Sequence, residues 1–231
     1  MEYTEQDAHI AQVVYEMFRE AGAVLENDHF VLASGRHARD YIVHHAIYTD
    51  TNQLSLTCSL AARRVYDSDS GIAPFPDAKI DSVLGPASGG ILLAQGIAES
   101  YRAWTALSLA AVWAEKETTP AGTVFRLPAA FEKHVRGKTV LLVDDVITTG
   151  GTFRKLAELV RAHEGKVAGC LCLWNRGNVS SAELDGIPLV SLIEKKLGDW
   201  PENACPCCKA GVPVNTLIGH GAEFVAKKRR R

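Results

Sequence analysis

Residues 140–152 read VLLVDDVITTGGT, and this stretch decides the fold predicted for the chain. Four apolar residues, 140–143, are typical of a short buried strand. Two acidic residues, Asp144 and Asp145, follow the strand, and residues 148–152 are small or hydroxylated and lie ahead of an apolar pattern with helical spacing. The stretch therefore predicts a strand, an acidic pair, a turn of the size of a phosphate group, and a helix.

The predicted turn has the chemistry of a phosphate-binding site. The first backbone N–H groups of a helix have no partner within the helix, and the helix dipole places partial positive charge beside them. A phosphate monoester fits such a helix start, where the glycines allow close approach of the backbone and the threonine hydroxyls can donate hydrogen bonds. Because carboxylates repel phosphate, we expect Asp144 and Asp145 to face sugar hydroxyls or a cation instead.

Three alternatives compete with a phosphate site of this kind. A P-loop NTPase also has an apolar strand followed by acids, but the chain has no GxxxxGK[ST] sequence. A dinucleotide-binding fold needs GxGxxG after a strand, which is also absent from the sequence. An ordinary strand, turn and helix without a ligand is the third alternative, and the whole pattern of residues 140–152 disfavours it.

Strand and helix patterns alternate along the rest of the chain. Predicted helices cover residues 4–22, 52–65, 91–101 and 153–165, and predicted strands cover residues 80–84, 105–113, 140–143, 167–174 and 188–193. Residues 115–122 are predicted as a polar loop, with a short extended piece at residues 123–127. This alternation predicts an α/β fold with a central, mostly parallel sheet flanked by helices.

Composition and charge restrict the possible partners and location. The chain has 231 residues, 47% of them hydrophobic, which is enough for a full core. Its formal net charge is -2 although the last five residues are all basic, so the chain before them is acidic and we expect no nucleic-acid partner. The basic end is predicted to be a solvated, disordered tail. Without a membrane-length apolar run or a signal-peptide pattern, we expect a cytoplasmic protein and no membrane partner.

A second turn of small residues, GPASGG at residues 85–90, also lies between a predicted strand and a predicted helix. A plain tight turn would explain this segment if it stood alone. The presence of the first turn favours a binding role for this second turn, because the same backbone chemistry could hold a second phosphate group. Together the two turns indicate a ligand with phosphate groups at both of its ends.

The stretch VLLVDDVITTGGT resembles the phosphoribosyl pyrophosphate (PRPP) binding motif of type I phosphoribosyltransferases, and GPASGG resembles the pyrophosphate loop of that family. Three further segments resemble orotate phosphoribosyltransferases. AEKE at residues 114–117 is similar to the start of a short lid loop, LWNR at residues 173–176 to the strand and arginine that contact orotate, and FVLASGRHARDY at residues 30–41 to the signature that forms a hood over the base.

The resemblance implies the type I phosphoribosyltransferase fold and the conversion of orotate and PRPP to orotidine 5′-monophosphate and pyrophosphate in pyrimidine synthesis. It implies that Lys116, Asp144 and Asp145 are catalytic and that Thr148 and Arg176 contact orotate. The PRPP-binding residues that it implies are Ser88, Gly89, Gly90, Lys116, Asp144, Asp145, Val146, Ile147, Thr148, Thr149, Gly150, Gly151 and Thr152. A cationic lysine would neutralise the leaving pyrophosphate, and the acidic pair would hold the ribose hydroxyls as the ring becomes positive.

The resemblance also implies a cofactor, a partner and a domain organisation. Mg²⁺ would arrive with PRPP rather than in a protein cage. The lid, typically donated to the neighbouring subunit, implies a homodimer. We expect a single phosphoribosyltransferase domain over residues 1–225, with a core at about 46–185, a small hood at about 1–45 and 186–225, and a basic tail at 226–231.

The lid segment and a cysteine cluster depart from simple expectations. Residues 118–122 lack the second basic residue that the family's lid usually has, although Arg126 could compensate. This gap keeps two alternatives open: transfer to another base such as a purine, and a non-catalytic PRPP sensor or RNA-binding regulator on the same fold.

The cysteines at 205, 207 and 208, with His220 downstream, show one pair and not the two of a typical zinc site, so we expect free thiols and no protein metal site.

Overall fold

The computed structural model describes residues 5–32, 34–66, 75, 79–120 and 122–229. Its helices are α1 (Glu5–Glu20), α2 (Thr51–Tyr66), α3 (Gly89–Thr105), α4 (Gly151–Ala162), α5 (Pro206–Lys209) and α6 (Gly221–Arg229). Its strands are β1 (Val24–Leu25), β2 (Phe30–Val31), β3 (His37–Ala38), β4 (Tyr41–Ile42), β5 (Ser82–Pro86), β6 (Ala110–Thr119), β7 (Gly122–Arg126), β8 (Thr139–Ile147), β9 (Lys166–Asn175), β10 (Leu189–Glu194) and β11 (Asp199–Trp200). Among these residues, every helix is too short or too polar to cross a bilayer.

The chain divides into two compact units, Met1–Tyr15 with Tyr48–Lys195 and Glu16–Ile47 with Lys196–Arg231. The first unit contains a six-stranded sheet in the order β10-β9-β8-β5-β6-β7. All neighbouring strands in this sheet are parallel except β6 and β7, which form an antiparallel hairpin. The predicted α/β class with a central, mostly parallel sheet is therefore confirmed.

Strand β8 lies in the middle of this sheet because its sequence suits burial on both faces. Residues 140–143 are all completely buried between β5 and β9. The helix after it, α4, buries Phe153, Leu156, Ala157 and Val160, which fall on one face at helical spacing. Burying a large apolar side chain contributes roughly 1.5–3 kcal/mol, so this strand and helix anchor the turn that joins them.

The segment predicted as a polar loop at residues 115–122 is instead part of a hairpin. Strand β6 continues to Thr119, β7 begins at Gly122, and the pairing places Glu115 opposite Arg126. Threonines and Val124 favour extended backbone, and the hydroxyl of Thr119 donates to the Gly122 carbonyl at 2.8 Å, which closes the turn. The strand predicted at residues 105–113 also starts later, because α3 runs through Thr105.

The second unit is built from very short strands. Strands β1 and β4 pair antiparallel, and β11, β3 and β2 form a three-stranded antiparallel sheet. The prediction of a disordered tail at the five basic residues is wrong for residues 227–229, which belong to α6. Lys228 of this helix forms an ion pair with Glu202, and the Phe224 ring meets the His37 ring edge-on at 4.9 Å. Arg230 and Arg231 lie outside the described residues.

Candidate functional site

The two predicted phosphate turns lie at one edge of the six-stranded sheet. Strands β5 and β8 are parallel neighbours, with Leu84 opposite Leu142, so their carboxyl ends leave the sheet side by side. Strand β9 flanks β8 on the other side, with Ile147 opposite Asn175. In parallel α/β sheets, ligands bind at the carboxyl ends of the strands. The topology therefore brings residues 85–90, 144–152 and 176 to the edge where a ligand would bind.

A cavity of about 130 Å³ opens at the start of α4. Its lining residues are Asp144, Val146, Ile147, Thr148, Thr149, Gly150, Gly151, Thr152 and Phe153. The residue before the helix, Gly150, has a φ of 74°, and within the described part of the chain no side chain caps the helix. The backbone N–H groups of the first turn are thus left for a ligand, and the helix dipole favours an anion there.

The loop after β9 holds this phosphate turn from one side. The backbone N–H groups of Arg176 and Gly177 donate to the Ile147 carbonyl at 3.0 and 3.2 Å. A Cβ atom on Gly177 would lie 1.8 Å from the Thr148 carbonyl oxygen, so only glycine allows this approach. Asn175 is buried and exchanges hydrogen bonds with Val179 at 2.8 and 2.9 Å, which shapes the loop. Arg176 is consequently half-buried beside the phosphate turn.

The second turn is packed so tightly that neither Gly85 nor Gly90 has space for a side chain. A Cβ atom on Gly85 would lie 2.3 Å from the Gly90 carbonyl oxygen, and one on Gly89 would lie 2.5 Å from the Asp145 Oδ2 atom. The peptide bond between Ala87 and Ser88 is cis. Ser88 precedes α3 without forming a side-chain cap to the described residues, which leaves this helix start open as well. The two turns therefore meet through Gly89 and Asp145.

Asp145 is held in place by a tyrosine that the sequence did not point to. Its Oδ1 atom accepts a hydrogen bond from the Val146 N–H at 2.7 Å. The Tyr48 hydroxyl lies 3.1 Å from the Gly89 carbonyl oxygen and 3.4 Å from the Asp145 Oδ2 atom. Burial, followed by the Asp145 carboxylate, raises the pKa of Tyr48, so its phenol remains a proton donor. Tyr48 thus connects the acidic pair to the second turn.

The other member of the acidic pair, Asp144, has a perturbed acidity. Desolvation at the strand end is the largest cause, the neighbouring Asp145 carboxylate is the next, and together they raise the pKa of Asp144 well above its ordinary value. The Lys116 ammonium lowers the pKa of Asp144 by a smaller electrostatic effect, so Lys116 interacts with the acidic pair through its charge. A cation or a developing positive charge at this position would stabilise the ionised pair.

Lys116 lies on β6, opposite Phe125 of β7, with its side chain exposed. It is therefore carried by the hairpin and not by an irregular loop. Arg126, which could have supplied the missing second basic group, forms an ion pair with Glu115 across the same hairpin. The structure gives Arg126 a role in joining the two strands.

Comparison with known proteins agrees with this arrangement. Residues 71–208 match the phosphoribosyl transferase domain. The orotate phosphoribosyltransferase of Caldicellulosiruptor bescii is 31% identical over 210 residues, covering 90% of this chain and 95% of that protein. The enzyme of the same name from Pelotomaculum thermopropionicum is 34% identical over 202 residues, covering 87% of this chain and 93% of that protein.

The chain belongs to the phosphoribosyltransferase family.

Solved structures agree on the fold of this phosphoribosyltransferase. The crystal structure of orotate phosphoribosyltransferase from Aeropyrum pernix superposes with a TM-score of 0.56 at 23% identity, covering 78% of this chain and 93% of that one. The Francisella tularensis orotate phosphoribosyltransferase structure also gives a TM-score of 0.56, at 20% identity, covering 78% of this chain and 85% of that one. These likenesses confirm the predicted type I phosphoribosyltransferase fold.

The positions of the predicted site residues follow from this geometry. The cavity at α4 gathers eight of the residues predicted to bind PRPP, namely Asp144, Val146, Ile147, Thr148, Thr149, Gly150, Gly151 and Thr152. Asp145 and Gly89 are in contact beside it, with Ser88 and Gly90 adjacent in the chain. Tyr48 and Gly177 were not predicted from the sequence. Tyr48 lies in a 3₁₀ segment, His44–Thr49, that has no recognisable motif. The only sequence signal for Gly177 is its position directly after Arg176 at the end of a predicted strand.

Proposed function

We propose that this phosphoribosyltransferase transfers the phosphoribosyl group of PRPP to orotate, forming orotidine 5′-monophosphate and pyrophosphate. The observation that carries the proposal is the attachment of Arg176 to the end of β8, directly before the phosphate turn, through the backbone hydrogen bond from its N–H to the Ile147 carbonyl at 3.0 Å. A guanidinium is a fitting partner for the carboxylate of orotate. The names of the similar curated proteins support the same base.

The cavity at the start of α4 would hold the 5′-phosphate of PRPP. The backbone N–H groups of residues 150–152 and the threonine hydroxyls of residues 148, 149 and 152 supply donors from one continuous turn. At the other end of the ligand, the turn with Ser88, Gly89 and Gly90 would hold the pyrophosphate. Because β5 and β8 are neighbours, both ends of PRPP could be bound at once.

The acidic pair would act on the ribose between these two anion sites. Displacement of pyrophosphate places positive charge on the ribose ring, and Asp144 and Asp145 would stabilise it while their oxygens accept hydrogen bonds from the ribose hydroxyls. Repulsion between the two carboxylates, which helps to raise the pKa of Asp144, would be relieved as the ring becomes positive. The stabilisation would therefore be greatest in the transition state.

The leaving pyrophosphate would be neutralised by Lys116 and by Mg²⁺ carried on PRPP. Magnesium prefers oxygen ligands and keeps much of its water. The carboxylates of Asp144 and Asp145 fit such an ion, because a nearby cation would relieve the repulsion between them. When bound, Mg²⁺ supplies positive charge to the pyrophosphate. Lys116 would add its charge from the β6–β7 hairpin, while Thr148 and Arg176 would contact orotate.

We propose further that the protein is a cytoplasmic homodimer and that residues 1–225 form a single phosphoribosyltransferase domain. In a dimer, a hairpin that carries Lys116 could serve the neighbouring subunit's site. Light scattering coupled to gel filtration would give twice the chain mass for a dimer, and the chain mass alone would overturn this part of the proposal.

The identity of the base is tested by incubating the protein with PRPP, Mg²⁺ and a panel of orotate, adenine, guanine, hypoxanthine and uracil. We expect consumption of orotate and equal formation of pyrophosphate. Consumption of a purine would keep the family and overturn the choice of base. PRPP binding without turnover of any base would indicate a sensor, and a salt-dependent RNA complex would indicate the regulator alternative. Asp145→Asn serves as the matched control, because it keeps the side-chain shape and removes the charge.

A further inference from the structure

Four side chains that could bind a metal converge in the second unit, and none of them is among the residues predicted to bind PRPP. They are His29, His37, Cys205 and Cys208, and their ligand atoms all lie within 4.8 Å of one another. His29, His37 and Cys205 are almost completely buried, and Cys208 is half-buried. Buried polar groups need partners, and thiols are weak hydrogen-bond donors, so a packing role alone leaves this cluster poorly satisfied.

The distances within the cluster are close to those of a tetrahedral metal site. The Cys205 Sγ atom lies 3.7 Å from His29 Nε2, and the Cys208 Sγ atom lies 3.6 Å from His29 Nε2 and 3.4 Å from His37 Nδ1. Zinc bonds of about 2.3 Å to sulfur and about 2.0–2.1 Å to nitrogen imply nitrogen–sulfur edges of about 3.6 Å in a tetrahedron. The two ring nitrogens are 2.8 Å apart, so the imidazoles would separate by about 0.5 Å to reach the tetrahedral edge.

The surroundings of His29 favour metal binding by its Nε2 atom. The other ring nitrogen, Nδ1, lies 2.7 Å from the Val212 carbonyl oxygen, which can only accept a hydrogen bond. The proton is therefore on Nδ1, and the Nε2 lone pair faces His37, Cys205 and Cys208. A hydrogen bond from the second nitrogen to a backbone carbonyl is the usual way in which proteins orient a metal-binding histidine.

The backbone places these four residues with little freedom. His37 is in β3, paired with Val31 of β2, and His29 immediately precedes β2. Cys205 is the residue before α5 and Cys208 lies within that helix, so one helical turn presents both sulfur atoms. Cys207, between them, instead donates to the Asp28 carbonyl at 3.7 Å. The strands here are only two residues long, and a small unit of this kind gains stability from a metal.

We propose that His29, His37, Cys205 and Cys208 form a structural zinc site. Two thiolates and two neutral imidazoles balance the charge of Zn²⁺, and four protein ligands leave no open position for a substrate, as in structural and not catalytic sites. The site replaces our expectation of free thiols at Cys205 and Cys208. It stands independently of the orotate proposal, because its residues belong to the second unit.

The test is the zinc content of the purified full chain, measured by mass spectrometry of the metal, in the wild type and two cysteine variants. We expect about one zinc per chain in the wild type and in Cys207→Ser, and a zinc content at least about tenfold lower in Cys208→Ser. The two variants remove neighbouring sulfur atoms, of which the structure assigns only one to the site. Equal zinc in both variants, or a wild-type chain that takes up no zinc after reduction of its thiols, would overturn the proposal.

If Cys208→Ser does not fold, cobalt substitution in the wild type decides the question. A Co²⁺ ion held by two thiolates and two imidazoles gives intense visible bands and a thiolate charge-transfer band. We expect both in the full chain, at one Co²⁺ per chain and displaced by Zn²⁺. A weak spectrum of the octahedral type would contradict the assignment, whatever the activity of the protein.

Discussion

Replacement of Tyr48 by phenylalanine removes one buried hydroxyl and keeps the aromatic ring. That hydroxyl lies 3.1 Å from the Gly89 carbonyl oxygen and 3.4 Å from the Asp145 Oδ2 atom, so it links the pyrophosphate turn to the acidic pair. Both of these contacts are with protein atoms. We infer that Tyr48 is a positioning residue, which acts by fixing the orientation of the Asp145 carboxylate.

The size of the effect follows from these two contacts. A hydrogen bond to a charged group contributes about 1.5–3 kcal/mol, and the value here lies at the lower end because the single phenol hydrogen is shared between the Gly89 carbonyl at 3.1 Å and the Asp145 carboxylate at 3.4 Å. About 1.4 kcal/mol corresponds to a tenfold change in rate, so kcat/KM for PRPP should fall about tenfold. Loss of the same shared hydrogen bond should lower the free energy of unfolding by about 1 kcal/mol.

Steady-state kinetics with PRPP varied at saturating orotate would measure this effect, beside chemical denaturation. The matched control is Tyr101→Phe, since Tyr101 lies on α3 about 18 Å along the helix from Gly89 at 1.5 Å per residue. We expect the control to keep wild-type kinetics, and the KM for orotate to stay unchanged in both variants. A Tyr48→Phe enzyme that loses stability but keeps its kcat/KM for PRPP would refute the positioning role.

Three further substitutions test the other parts of the site. Arg176→Ala should raise the KM for orotate about 100-fold with little change in the KM for PRPP, because a buried charge pair with the carboxylate is lost. Lys116→Ala should lower kcat about 100-fold in the same assay, since its charge would act on the leaving pyrophosphate. Asp144→Asn should abolish most activity and yet raise the free energy of unfolding by about 1 kcal/mol at pH 8, as measured by denaturation. The gain is expected because the raised pKa of Asp144 makes its ionised form unfavourable in the folded state.

The raised pKa of Asp144 makes the stability of the wild type depend on pH. The folded chain holds the Asp144 proton to a higher pH than the unfolded chain does, so wild-type stability falls as the pH rises above the ordinary carboxyl pKa of 3.8. The stabilising effect of Asp144→Asn is therefore absent below about pH 3.8, grows as the pH rises above that value, and is largest above the raised pKa of folded Asp144. A gain that is equally large at both ends of this range would disprove the assigned cause.

Exposed residues of the same type provide controls for the two cationic positions. Lys133 and Arg161 both lie on the surface, and neither lines the cavity at α4. We expect Lys133→Ala and Arg161→Ala to keep wild-type kinetics. If these controls lose as much activity as Lys116→Ala and Arg176→Ala, the effects arise from the loss of one positive charge anywhere on the protein, and the assigned roles are wrong.

The central part of the fold was predictable because its determinants are local. The run at residues 140–143 carries enough apolar surface to require burial on both faces, and the glycines and threonines that follow permit one kind of strand-to-helix turn. The order of strands and helices then restricts the topology to a parallel sheet. The cavity at α4 and its lining residues follow directly from this stretch.

Other features could not be predicted because they depend on contacts between distant segments. Gly177 is required only once β9 brings it to the Thr148 carbonyl, and Tyr48 becomes a partner of Asp145 across 97 positions of sequence. The proposed zinc ligands form a histidine pair and a cysteine pair, and Cys205 is 176 positions from His29. The spacing within either pair alone therefore does not predict a four-ligand zinc site. The Cys205–Cys208 pair with the histidines at 29 and 37 was the available signal.

The hairpin of β6 and β7 shows a different limit. Residues 115–122 are rich in charge and contain a proline, which favours a loop when each residue is considered alone. The cross-strand pairs override this preference, with Glu115 and Arg126 joined by an ion pair and Thr119 bonded to the Gly122 carbonyl. The exposed Lys116 is thereby fixed to a strand.

The most direct test of the proposed function is the balance of reactants and products with PRPP, Mg²⁺ and orotate. Loss of orotate can be followed by its ultraviolet absorbance, pyrophosphate by a coupled enzyme, and the nucleotide by mass spectrometry. We expect equal amounts of orotate consumed, pyrophosphate released and orotidine 5′-monophosphate formed, with Asp145→Asn nearly inactive. Folded wild-type protein that binds PRPP but leaves orotate unchanged would contradict the proposed function.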